Sequence, residues 1–218
     1  MLLKRNPKVI LAFAVFLSMG CYLLASRLKL GIGFPLDDAW IHQTYARNLA
    51  QSGQWAFWQG QVSGGSTAPL WSAFLALGYW LKTPHFFWAF ALGGTLLWGL
   101  ALFAEIFMRQ MVSAYRSTFP WAGLFIVGEW HLVWAAASGM ETLLYALLAT
   151  SVLVLLTFGK RNYLLLGALV GLSVWVRPGG ITLLGPVVVT AFLSGKSFRK
   201  IFRDLLSVAL SFGIILSF

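Results

Sequence analysis

Eight apolar runs with short polar corners between them constrain what this chain can fold into: Val9 to Ser26, Pro69 to Leu81, Phe86 to Met108, Pro120 to Ser138, Thr142 to Phe158, Tyr163 to Val176, Ile181 to Leu193 and Leu205 to Phe218. Charged residues are only 10% of the 218 positions, too few to coat this much apolar material with a solvated shell, and the mean hydropathy is +0.80. A soluble globular domain, a disordered chain and a disulfide scaffold are thereby excluded. The expectation is an all-α polytopic transmembrane helical bundle. Several runs fall short of the roughly 20 residues that cross about 30 Å of hydrocarbon, so flanking residues continue them or they pack as half-helices.

Sixteen Lys and Arg face six acidic residues, for a net charge of +10. In a membrane chain such an excess orients the spans, with basic loops inside, and does not point to nucleic acid. The first run follows Lys4, Arg5 and Lys8, the pattern of an uncleaved signal anchor with its N-terminus inside. Cys21 lies within that run and has no second cysteine to pair with.

If all eight runs cross, 5 basic residues fall inside and 11 outside; if the short run 69–81 stays at the outer membrane edge, the count becomes 11 inside and 5 outside. The second topology obeys the positive-inside rule and is the one expected. It opens the loop 27–68, the corner Ser138 to Thr142 and the corner Arg177 to Gly180 to one extracytoplasmic face. The reading is a single transmembrane domain over 1–218. Its parts are a first span 9–26, an outer loop 27–85 with an amphipathic helix 37–52, further spans 86–203 and an incomplete last span 205–218.

The segment FPLDDAWIHQTYARNLAQSG, 34–53, is the one long stretch of mixed polarity. Asp37 reads as N-cap, Ile41, Tyr45 and Leu49 recur at i, i+4, i+8, and Gly53 stops the helix. Arg47 and Gln51 take its wet side, and the helix is expected to lie on the membrane surface. The dipole favours ionised Asp37 and Asp38 at its N-terminal end, available as base or cation ligand. His42, one turn beyond Asp38, either shares a hydrogen bond with it or is a polar residue of the wet face. Trp55, Phe57, Trp58 and Trp71 then bracket a Gly/Ser/Thr turn containing Thr67. Aromatic faces with small polar groups suit a sugar ring, and equally an interfacial aromatic belt.

The run from Asp37 to Trp71, with its acidic pair, its TYARNLA helix and its G-x-T-x-x-L-W exit, resembles the first outer loop of GT-C membrane glycosyltransferases. The likeness is closest to the subgroup that includes the mycobacterial terminal arabinofuranosyltransferases. SGMETLLYALL resembles that family's second outer corner and VRPGG its R-P-E-G corner, with Gly179 in place of the usual Glu. The pieces and the spans between them cover about residues 9 to 195.

The resemblance implies transfer of a sugar from a polyprenyl-phosphate donor to a glycan, lipid or protein acceptor hydroxyl, outside the plasma membrane. An outer-loop carboxylate, Asp37 or Asp38, is then the general base. Arg177 is the expected partner of the leaving phosphate through bidentate contacts. Glu141, His42, Trp58 and Thr67 complete the expected substrate-binding set. Asp37, Asp38 and Glu141 together suit Mg²⁺ or Mn²⁺, although a lipid monophosphate donor does not demand a metal. Family members are longer, so the chain reads as an N-terminal part of such an enzyme.

Three further features have structural readings. Glu129 and His131, inside an apolar run, are expected as a buried polar pair that locks helices together. Glu105 and Arg109 stand at i, i+4, and Gly167 and Gly171 form a G-x-x-x-G spacing for close helix packing. The basic segment KSFRKIFRD reads as a C-terminal loop that attracts anionic inner-leaflet lipid. The competing functions are a transporter or polyprenol-lipid flippase, whose substrate path Glu129 and His131 would line, and an inactive membrane scaffold.

Overall fold

The computed structural model describes residues 6–115, 117–158 and 161–217. Lys4, Arg5, Arg116 and Lys160, which enter the basic-residue count, lie outside them, as does Phe218. The described chain is almost entirely helical. Its elements are α1 (Pro7–Lys29), α2 (Asp37–Ser52), β1 (Ala56–Trp58), β2 (Gln61–Val62), α3 (Pro69–Trp80), α4 (His85–Met111), α5 (Trp121–Gly128), α6 (Trp130–Ala137), α7 (Thr142–Phe158), α8 (Tyr163–Val176), a 3₁₀ turn (Pro178–Leu183), α9 (Leu184–Phe192) and α10 (Phe198–Leu216). Among the described residues, α1 and α4 are the helices long and apolar enough to cross a membrane by themselves; α7, α8 and the stretch Pro178–Phe192 are shorter apolar helices.

The chain forms two compact units, 1–65 with 72–143, and 66–71 with 144–218. In the first, α1 starts on Asn6, whose side chain accepts from the Lys8 N–H, with Pro7 as the first helical residue. It buries Leu11, Val15 and Met19, a stripe repeating every four residues, against α4, α5 and α6. α4 presents a matching stripe, Ala89, Gly93 and Leu97. Gly93 is required there: a Cβ would stand 1.9 Å from the Ala136 carbonyl oxygen of α6.

The run Pro120 to Ser138 differs from expectation. It is two eight-residue helices broken at Glu129, whose backbone is extended and whose side chain caps α6 by accepting from the Leu132 N–H at 3.0 Å. Capping competes with helix continuation wherever a carboxylate can reach the amides ahead of it, and Gly128 just before it is a weak helix former. Glu129 does pair with His131, at 2.6 Å, but the pair is exposed, with the His131 side chain at 68%. The expected buried lock is therefore absent at this position.

Glu105 behaves as the spacing predicts, pairing with Arg109 at 2.6 Å. It is also buried, and its second oxygen accepts from the Tyr115 hydroxyl and the Ala122 and Gly123 N–H groups at the start of α5.

In the second unit, α8 packs along α10 around Leu166, Val170, Val187 and Val208. Cβ atoms on Gly167 and Gly171 would stand 2.4 Å from the Val208 oxygen and 2.8 Å from the Ile215 side chain, so the G-x-x-x-G pair does permit close packing. The run expected from Ile181 begins instead as the 3₁₀ turn after Pro178. The basic segment is not a loop: α10 starts at Phe198 and takes it in. Phe198, Ile201, Phe202 and Leu205 fall at i, i+3, i+4, i+7, leaving Arg199, Lys200 and Arg203 exposed on the other faces. Lys196, just before the helix, reaches Asp204 at 2.5 Å.

Gly93→Ala is expected to lower stability by about 1–3 kcal/mol through overpacking. Gly20→Ala, where nothing lies within 4 Å of the added methyl, is the control and leaves stability unchanged or raised. Thermal unfolding in detergent reads both, and equal midpoints for the two variants would contradict the close approach of α4 and α6.

Candidate functional site

The chain turns into α2 from Phe34, whose ring packs edge-on against Trp40 at 5.2 Å and against Phe86 at 4.9 Å. Phe34 also covers Gly139 in the corner between α6 and α7. That glycine has φ +75°, and a Cβ there would stand 2.6 Å from the Phe34 ring. One aromatic residue thus ties the entry of α2 to the corner that carries Glu141.

Leu36 is extended and Asp37 is the first helical residue, so Asp37 is not the N-cap that the sequence suggests. Its Oδ1 accepts from the Asp38 N–H at 3.0 Å. Both carboxylates stand in the first turn, where the unpaired N–H groups of the helix favour negative charge, and both are exposed. Gly53 ends the helix with φ +67°, as predicted.

The face that α2 buries is polar as well as apolar. Ala39, Tyr45 and Ala46 are buried, but so are His42, Gln43 and Asn48, while Ile41 and Leu49 are only partly covered. His42 is 1% exposed, so it is not a residue of the wet face. Its Nδ1 and the Ser72 hydroxyl are 3.3 Å apart, and its Nε2 stands 3.5 Å from Oε2 of Glu141. Ser72 is fully buried and Glu141 is 5% exposed. At that separation the imidazole and the carboxylate face each other without a well-formed hydrogen bond between them. Three elements, α2, α3 and the α6–α7 corner, thus meet in one buried polar chain.

Gln43 and Asn48 complete the anchoring. The Tyr79 hydroxyl donates to Gln43 Oε1 at 2.9 Å, and Trp80 Nε1 donates to the Ala50 carbonyl at 3.1 Å, so α3 is strapped along α2. Asn48 Nδ2 donates to the carbonyls of Ala56 and Phe57, at 2.8 and 3.0 Å. The Tyr45 hydroxyl is 2.6 Å from Ser63 Oγ and accepts from the Gly65 N–H. These bonds hold the β1–β2 hairpin, an antiparallel pair with Trp58 opposite Gln61 and Gly60 at φ +86° in its turn, against the helix.

Of the residues singled out in the sequence, Asp37, Asp38, His42, Glu141 and Trp58 belong to the first unit. The structure joins His42 to Glu141, leaves the Asp pair open at the helix end and exposes Trp58. Thr67 and Arg177 belong to the second unit, and both are exposed. Arg177 follows α8 with an extended backbone, its N–H bonded to the Ser173 carbonyl. Trp71 is buried and so presents no open face. Among the described residues no three or more His, Cys, Asp or Glu side chains are grouped to hold a metal ion, and Glu141 faces His42. Ser72, Gln43 and Asn48 were missed; for Gln43 and Asn48 the signal was a polar residue at a position that the helical period buries.

Removing either member of the buried pair takes away one of its partner's polar neighbours in a site closed to water, at a cost of about 1–3 kcal/mol. His42→Ala and Glu141→Ala are each expected to destabilise strongly, Glu141→Gln less so, and the double variant by less than the sum. A double-mutant cycle in urea is the measurement, and strict additivity would show that the two side chains do not interact. Against protein-family models, curated proteins and solved structures, the chain finds no match in any of the three comparisons.

Proposed function

We propose that the chain is a membrane glycosyltransferase that moves a sugar from a polyprenyl-phosphate donor to an acceptor hydroxyl on the extracytoplasmic face, with Asp37 or Asp38 as general base. One observation carries this reading. Two exposed carboxylates occupy the first turn of a helix whose opposite side is locked by buried polar contacts. Such a helix end holds a carboxylate in a fixed place where it can accept the proton of a hydroxyl attacking an anomeric carbon. The motif resemblance to GT-C loops points the same way.

In the proposed step the acceptor oxygen bonds to the anomeric carbon and its proton passes to the carboxylate. The bond from the anomeric carbon to the phosphate oxygen breaks, and its electron pair leaves with the lipid phosphate. Attack opposite the leaving group gives inversion. Asp37 is favoured as base, because the helical period sets Asp38 one turn from buried His42, at i, i+4, and Asp37 on the open side. Arg177 is proposed as phosphate ligand on its chemistry and exposure alone. The interruption of the α5–α6 run at Glu129 favours a second reading, transport of a lipid-linked substrate, since transporters place broken helices at their binding sites.

Asp37→Asn is expected to lower kcat for sugar transfer in reconstituted membranes by about 10²–10⁴-fold with little change in folding, and Asp38→Asn by less. Wild-type transfer by both variants would sink the base assignment. If wild-type protein moves lipid-linked sugar across vesicles without transferring it, the transport reading replaces this one. Orientation is checked separately, with Cys21 replaced by Ser. Gln59→Cys should label from outside intact cells and Arg199→Cys should not; the reverse pattern would invert the proposed topology.

A further inference from the structure

We propose that the cleft between α2 and the tip of the β1–β2 hairpin is a carbohydrate subsite, which holds a part of the acceptor glycan remote from the reacting hydroxyl. Thr44, Arg47 and Asn48 from the helix and Phe57, Trp58 and Gln59 from the hairpin line a cavity of about 540 Å³. Only the word acceptor rests on the transferase reading; the recognition of a sugar is argued from the cleft itself.

Its walls are already built. Asn48 bonds twice to the hairpin backbone, Tyr45 holds Ser63 and Gly65, and the Gly60 N–H donates to Gln54 at 2.8 Å. Binding therefore needs little ordering of the loop. On this frame Trp58 is 71% exposed, braced edge-on by Phe57 at 5.6 Å. A braced, open indole face beside polar side chains matches a sugar ring, which offers C–H groups on one face and hydroxyls around its edge.

The polar groups discriminate further. Arg47 is exposed and takes part in none of the ion pairs among the described residues. That cation alone would suit a phosphate as well as a pair of sugar hydroxyls. The neighbouring groups decide between them. Thr44 and Gln59 line the same cleft with a hydroxyl and an amide, neutral groups that pair with hydroxyls, and the open face of Trp58 adds an apolar platform that a phosphate does not use. The cleft therefore favours a hydroxyl-rich ligand over a lipid headgroup phosphate.

Its position gives it a use. Asp37, Thr44 and Asn48 stand at i, i+7 and i+11, on one stripe of α2, with Thr44 about 10 Å along the axis from Asp37. A glycan lying along this stripe reaches from the cleft to the carboxylate. Binding energy gained at the remote end then positions the reacting hydroxyl.

The test is saturation-transfer NMR on the full chain in detergent, with a panel of methyl hexopyranosides and methyl pentofuranosides and no donor present. At least one glycoside should take up saturation on one face of its ring. Trp58→Ala should weaken that binding by about tenfold, Trp58→Phe and Arg47→Ala by less, and Asp37→Asn should leave it intact. Circular dichroism of the Trp58 variants checks that the exposed ring is not needed for folding. Absence of saturation from every glycoside in the wild type, or saturation undiminished in Trp58→Ala, overturns the proposal. So does Trp58-dependent binding to phosphatidylglycerol vesicles in place of glycosides, which would make the cleft a headgroup site. Failure of the transferase reading is seen elsewhere, as absence of sugar transfer by the wild-type protein in reconstituted membranes, and leaves glycoside binding untouched.

Discussion

Burial of His42 beside Glu141 is the contact on which the placement of α2 depends. Two ionisable side chains in a buried site are costly when apart, so their close approach at 3.5 Å sets where α2 sits relative to the α6–α7 corner. Ser72 extends the same chain to α3, and Phe34 closes over Gly139 beside it. With one face of α2 held in this way, its other face has a defined position. The open carboxylates at its start and the hairpin strapped across its second half inherit that position from the helix.

The six acids share a pattern that charge scarcity alone does not explain. Asp37 and Asp38 open α2, Glu129 caps α6, Glu105 accepts from the first N–H groups of α5, and Glu141 immediately precedes α7. Only Asp204 lies away from a helix start, paired with Lys196. The first N–H groups of a helix lack partners within it, and an acceptor from the chain itself can satisfy them. Asp37, Asp38, Glu105 and Glu129 stand where they fill that need or complement the dipole, and the Glu141 carboxylate lies beside the His42 ring.

What the sequence revealed follows the range of the forces involved. α7 and α8 coincide with their apolar runs, and α2 ends at Gly53, because periodicity and a left-handed cap are local properties. The break at Glu129 was hidden because a single carboxylate within an apolar run looks like a buried polar residue, whereas its effect lies in reaching the Leu132 amide. The start of α10 was placed too late because Arg199, Lys200 and Arg203 suggest a loop until Phe198, Ile201 and Phe202 are read as the first turns of an apolar stripe. The contacts of His42 and Asn48 were hidden for a different reason. Their partners lie on other elements, and although Asn48 stands at a position that the helical period buries, no local pattern says which groups it meets there.

Several glycines carry a consequence of another kind. At Gly93, Gly139, Gly167, Gly171 and Gly180 any side chain would collide with a neighbouring helix, ring or backbone, whereas Gly20, Gly185 and Gly213 face open space. The two sets look alike in the sequence, yet mutation can wander freely through one and is blocked at the other. Substitution compatible with this packing is therefore channelled: apolar positions facing open space can exchange Leu, Val, Ile and Phe, while the spacing of the forbidden positions has to be kept. A distant relative would be recognised by that skeleton of gaps sooner than by its letters.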